Sequence, residues 1–123
     1  MESNPAIKLL FICSRNKQRS LTAEKIYEGF PGYQVRSAGT QPEARIKVTE
    51  GMLGWADMIF LMEKSHLNRV RQKFSEALEG KKVVVLHIPD EFEFMEPALI
   101  DELIAKISPH AAVPDILSDD APG

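Results

Sequence analysis

A chain of 123 residues with 44% hydrophobic and 27% charged residues has the make-up of one ordinary globular domain with a single real core. Its formal charge of −3 argues against indiscriminate nucleic-acid binding by the whole surface, and no run approaches the roughly 18 apolar residues of a membrane span. One cysteine excludes an internal disulfide; with a polar Met1–Pro5 and an apolar run broken by Lys8, a reducing cytoplasmic setting without a secretory leader is expected.

In chain order, residues 6–12 form a short continuous apolar run, as a strand buried on both faces requires. A polar loop follows Cys13, and Arg19-Ser20 opens a helix carrying Ala23, Ile26, Tyr27 and Phe30, stopped by Pro31-Gly32. Residues 33–37 read as an edge-type strand and 38–42 as a turn-rich loop. A second helix opens near Thr49, weakened by Gly51 and Gly54. Residues 57–62 are another buried strand. The spacing of Leu67, Val70, Phe74, Ala77 and Leu78 predicts one helix over 64–79, ended by Gly80. Residues 82–88, β-branched and apolar, predict the strongest strand. A loop over 89–94 leads to a helix over 96–107, and the Pro- and Asp-rich remainder from Pro109 is expected to fray. Alternation of buried strands and helices predicts an α/β domain: a four-stranded parallel sheet in the order 2-1-3-4, helices on both faces, and a phosphate-binding loop after strand 1. In that order the connections reverse beside strand 1, where ligands bind at strand carboxyl ends.

Cys13 stands at that point. Five residues separate it from Arg19-Ser20, enough for Ser14, Arg15, Asn16, Lys17 and Gln18 to curl round one phosphate with their amides. Arg19 then returns to grip its oxygens. A helix N-terminus and nearby cations favour the thiolate form of a cysteine, the form that attacks phosphorus. Ser20 can donate a hydrogen bond to that sulfur. Ester cleavage also needs a proton for the leaving oxygen, and the loop after the last strand offers Asp90, with Glu91 as the fallback. Phe92 and Phe94 either wall a pocket for an aromatic or nucleobase leaving group or pack the last helix. His66, His87 and His110 show no metal-ligand spacing, and Arg69, Arg71 and Lys73 read as a solvated helix face.

These residues resemble the low-molecular-weight protein tyrosine phosphatases. The resemblance lies in Cys13-Ser14-Arg15-Asn16-Lys17-Gln18-Arg19-Ser20, in Ala23-Glu24, in Ser37-Ala38-Gly39-Thr40, and in the segment from Asp57 through Met62-Glu63 to Ser65 and Leu67, about two thirds of the chain. It implies that Asn16 holds the loop's conformation and that Ser37 supports the loop from behind. It also implies a reaction through phosphocysteine that needs neither metal nor cofactor. The chain departs from the family in its order Pro89-Asp90 rather than Asp-Pro, in the short loop after Thr40 without an aromatic clamp, and in Gln18 where a second loop cysteine is usual. The expected protein is a monomeric phosphatase acting on a phosphorylated protein or small aryl phosphate, with no membrane partner. A nucleotide or RNA-terminal, even cyclic, phosphate is the alternative substrate, suggested by the charge of Arg15 and Lys17. Arsenate reduction would need an external thiol, and a non-enzymatic phosphate-binding or phosphocysteine-carrier module would leave Asp90 dispensable.

Overall fold

A computed structural model describes residues 6–111. The strands are β1 (Ile7–Cys13), β2 (Tyr33–Gly39), β3 (Met58–Leu61) and β4 (Lys82–Val85). The helices are α1 (Arg19–Tyr27), α2 (Glu50–Trp55), α3 (Lys64–Phe74) and α4 (Pro97–Ile107). All strand pairs are parallel and the order is β2-β1-β3-β4, as expected.

β1 is buried from Leu9 to Cys13 because both its faces are covered. Leu9, Phe11 and Cys13 join Ala23 and Tyr27 of α1 and Leu99, Leu103 and Ile107 of α4. Leu10 and Ile12, pointing the other way, join Leu53 of α2 and Leu67 and Val70 of α3. Phe11 stacks on Phe60 with ring centroids 5.4 Å apart and meets Tyr27 at 5.8 Å, pairs worth about 1 kcal/mol each beyond their buried area. The chain leaves β1 toward β2 on one side and reaches β3 on the other, so a crevice opens at the carboxyl end of β1.

Three expectations change. The helix over 64–79 is interrupted: Phe74 adopts φ −135°, ψ 42°, and Ser75–Leu78 forms a tighter 3-10 turn that still delivers Ala77 and Leu78 to the α3 side of the core. The strand over 82–88 leaves the regular ladder after Val85, because β3 ends at Leu61 and His87 takes a left-handed φ of 58°. The amides of Leu86 and Ile88 nevertheless reach the carbonyls of Leu61 and Met62 at 2.8 and 2.9 Å, which carries β4 on to the site. Finally, residues 109–111 are not frayed. The amides of His110 and Ala111 bond the Ile107 carbonyl and Ala111 is 4% exposed. The rest of the expected tail, 112–123, lies outside the described residues. Among the described residues no helix is long and apolar enough to cross a membrane.

Candidate active site

The loop between β1 and α1 closes on itself. Asn16 sits in the left-handed region at φ 61°, a conformation asparagine tolerates better than most residues, and it is fully buried. That turn aims its amide N–H at Cys13 Sγ, 3.2 Å away. Cys13 is itself 3% exposed, at the floor of a cavity of about 40 Å³ lined by Cys13–Arg15, Lys17–Arg19 and Asp90. No side chain caps α1 at Gln18, so the first-turn amides remain available to an anion.

Hydrogen bonding behind the loop has a direction set by one carboxylate. Glu24 can only accept, so the Ser37 hydroxyl donates to its Oε1. Ser37 Oγ must then accept from Asn16 Nδ2 at 2.8 Å, and the same amide nitrogen donates to Ser20 Oγ at 2.8 Å. With its oxygen already accepting, Ser20 has its own proton free for Cys13 Sγ at 2.9 Å; the Ala38 carbonyl, at 3.5 Å, is the poorer acceptor. Two donors, the Asn16 amide and the Ser20 hydroxyl, thus point at the sulfur, the arrangement that stabilises a thiolate. Asn16 and Ser37, the residues the resemblance assigns to loop support, meet here. Among the described residues Asn16 Oδ1 has no hydrogen-bond partner.

Arg19 is fixed from the opposite side. It is 2% exposed; its Nη1 donates to Glu63 Oε2 and to the Ile88 carbonyl at 2.7 Å, and its Nε lies 3.9 Å from Asp90 Oδ1. Glu63 caps α3, and its amide donates to His66 Nδ1 at 3.0 Å. With Nδ1 accepting, His66 Nε2 carries the hydrogen and donates to Ser14 Oγ at 2.9 Å. Burial first, then the Arg19 charge, push the His66 imidazole down to about 4, so it is neutral here. A histidine on what reads as a mixed helix face is therefore a buried tie between α3 and the phosphate loop. Neither Glu63 nor His66 announces this role by spacing; the sequence signals are their place just after the buried run over 57–62 and the resemblance carried by Met62-Glu63.

Asp90 lines the cavity with its side chain 60% exposed, whereas Glu91, also exposed, does not. The two phenylalanines do not line it either. Phe92 packs against the Phe11 side of the core and Phe94 is 45% exposed; the next residue, Met95, at φ 62°, bonds its amide to Thr22 Oγ1 of α1. Gly39 has a steric cause: a Cβ there would stand 2.5 Å from the Ser14 carbonyl oxygen and 2.6 Å from Ala44 Cβ. The following loop uses that closeness, bonding Thr40, Gln41 and Arg45 amides to the carbonyls of Cys13, Ser14 and Arg15. Among the described residues no group of three or more His, Cys, Asp and Glu side chains could hold a metal ion.

No family model and no curated protein sequence matches the chain. Solved structures do. The low molecular weight protein tyrosine phosphatase SP-PTP from Streptococcus pyogenes superposes with a TM-score of 0.71 at 14% identity, covering 94% of this chain and 99% of that one. Wzb from Vibrio vulnificus, in complex with benzylphosphonate, gives 0.63 at 22% identity over 80% and 90%. The YwlE arginine phosphatase from Geobacillus stearothermophilus gives 0.60 at 20% over 95% and 99%. At these identities the likeness is one of fold: the chain has the fold of the low molecular weight protein tyrosine phosphatases.

Proposed function

We propose that this chain is a cysteine-dependent phosphatase. The observation that supports it best is the environment of Cys13 Sγ, which faces a phosphate-sized cavity with the Asn16 amide at 3.2 Å and Ser20 Oγ at 2.9 Å, opposite Arg19 and Asp90. In the first step the sulfur forms a bond to phosphorus while the ester P–O bond breaks, and Asp90 gives its proton to the departing oxygen. Arg19 Nε and the loop amides bind the equatorial oxygens, whose charge grows in the transition state. In the second step Asp90, now a carboxylate, takes a proton from water as the water oxygen bonds phosphorus and the sulfur leaves as thiolate. Ser20 donates to that leaving sulfur.

The fold's solved relatives are named as tyrosine and arginine phosphatases, and an aryl phosphate is the substrate to try first. Arg15 and Lys17, both exposed at the cavity, favour a second reading in which the same cysteine acts on a nucleotide or RNA-terminal phosphate. The test is p-nitrophenyl phosphate turnover by wild type, Cys13→Ser and Asp90→Asn. Cys13→Ser is expected to lose turnover while still binding phosphate. Asp90→Asn is expected to lose about 10²–10⁴-fold on a poor leaving group and less on an activated one. Turnover persisting in Cys13→Ser contradicts the reading; an Asp90→Asn enzyme equal to wild type on both leaving groups removes Asp90 from it.

A further inference from the structure

A second cavity, of about 130 Å³, lies beside the phosphate loop between the loop that follows β2 and the outer face of α3. Val48, Val70 and Phe74 give it apolar walls, while Lys47, Arg69 and Lys73 bring three cations and no carboxylate lines it. Arg69 and Lys73 are four residues apart on α3 and share a face; Lys47 comes from across the groove. Among the described residues the side chains of these three make no hydrogen bond or ion pair, unlike Lys81 and Lys106, which are tied to carbonyls. Arg69 and Lys73 are exposed, as a solvated face requires, and they also line this recess, with Lys47, likewise exposed, on its other wall. Three like charges around one recess make it attractive to an anion.

The recess is built onto the candidate active site. Thr40, which lines it, bonds its amide to the Cys13 carbonyl at 3.0 Å, and the next amide bonds Ser14 at 3.0 Å, so one rigid loop wall separates the two cavities. Asp90 is the carboxylate that lines the phosphate cavity; its other charged lining residues, Arg15, Lys17 and Arg19, are cations. Arg15 and Lys17 stand on the rim. A ligand held over Cys13 with a second negative group is attracted across Thr40 toward Lys47, Arg69 and Lys73.

We propose that this recess is a subsite for a second phosphate of the substrate. The preferred substrates would then be nucleotide ends, with the scissile phosphate over Cys13, the neighbouring phosphate among the three cations and the nucleoside against the apolar walls. The proposal rests on the phosphatase reading and selects its substrate class. The probes are adenosine 3′,5′-bisphosphate, adenosine 5′-monophosphate and p-nitrophenyl phosphate, given to wild type and to a Lys47→Ala/Arg69→Ala/Lys73→Ala variant. Wild type is expected to favour the bisphosphate over the monophosphate at least tenfold in kcat/KM, with a preference that shrinks as salt rises. The triple variant is expected to lose that preference and to keep its aryl phosphatase activity within about twofold.

Absence of a bisphosphate preference in wild type overturns the proposal while leaving the phosphatase reading intact. So does a variant that weakens an acidic phosphotyrosyl peptide but not the nucleotide, which would make the recess a peptide site. If wild type turns over none of the three, the phosphatase reading fails, and calorimetric binding of the bisphosphate decides the subsite alone. A tenfold or greater loss of affinity in the triple variant supports it; equal affinity removes it.

Discussion

Glu63 is the residue whose removal tests most sharply how the site holds its arginine. Arg19 is buried and its Nη1 is engaged by Glu63 and by the Ile88 carbonyl, which leaves Nε and the second terminal nitrogen for a phosphate. A hydrogen bond to a charged group is worth about 1.5–3 kcal/mol. Glu63's side chain is 38% exposed, so solvent screens part of its charge. The Ile88 carbonyl also persists in a variant. About 1–2 kcal/mol of transition-state stabilisation is therefore at stake in Glu63→Ala, or a roughly 5- to 30-fold fall in kcat/KM. The opposing effect, relief of repulsion between Glu63 and the bound phosphate, is small because Arg19 already compensates that carboxylate at contact distance. Steady-state kinetics with p-nitrophenyl phosphate should place the loss in kcat, with KM unchanged or lower, since the guanidinium is misdirected rather than removed. Glu63→Gln keeps an acceptor and is expected to lose less. A Glu63→Ala enzyme folded to the same melting temperature, with kcat/KM within twofold of wild type, contradicts this role.

Two other perturbations read parts of the same frame. His66 is held down to about 4 by burial and by Arg19, against about 6.5 in an unfolded chain. Between those values the unfolded chain carries a proton that the native state lacks, so stability falls as pH is lowered from 6.5 toward 4, by up to about 1.4 kcal/mol per pH unit. His66→Gln removes that contribution, so melting temperature against pH should be flatter over this window; the same slope in both proteins refutes the assignment. Gly39→Ala places a methyl 2.5 Å from the Ser14 carbonyl oxygen, backbone that cannot swing aside. A cost of about 1–3 kcal/mol in chemical denaturation is expected, together with a loss of phosphatase activity as the loop is pushed outward. An unchanged denaturation midpoint would mean that the loop accommodates the methyl.

The strand order was legible because β1 is apolar at successive positions, a pattern only a strand covered on both faces can satisfy. The candidate site loop from Cys13 to Ser20 was legible because its residues are contiguous and the proposed chemistry needs each of them in turn. What escaped was whatever depended on two distant segments meeting. Glu63 and Arg19 are 44 positions apart and His66 and Ser14 are 52 apart, and no local pattern couples either pair. Whether Phe92 and Phe94 wall a pocket or pack the core was open for a related reason. An aromatic next to an acidic loop fits a pocket wall and a core plug equally well; in the structure Phe92 packs against the core. Arg69 and Lys73 are solvated as expected, but the recess they border was not legible, because nothing in α3 itself indicates that Lys47 stands across from them.

The site draws on the carboxyl ends of all four strands. β1 ends in Cys13, β2 brings Ser37 and Gly39, β3 leads into Glu63 and His66, and the extension of β4 supplies the Ile88 carbonyl and Asp90. In the β2-β1-β3-β4 order one six-residue step from Cys13 to Arg19 is braced from both sides at once: Glu24, Ser37 and Asn16 set the donors on the sulfur, while Glu63 and Ile88 set the guanidinium. The two braces share no residue, and the tie from Glu63 through His66 to Ser14 is the one described path between them. If that tie carries little, damage to the first should affect the nucleophile and damage to the second the hold on the transition-state oxygens, with effects that add. An Asn16→Ala/Glu63→Ala double variant whose loss in kcat/KM equals the product of the single losses would establish that independence. A double variant no worse than either single would show that loop and arginine move as one unit.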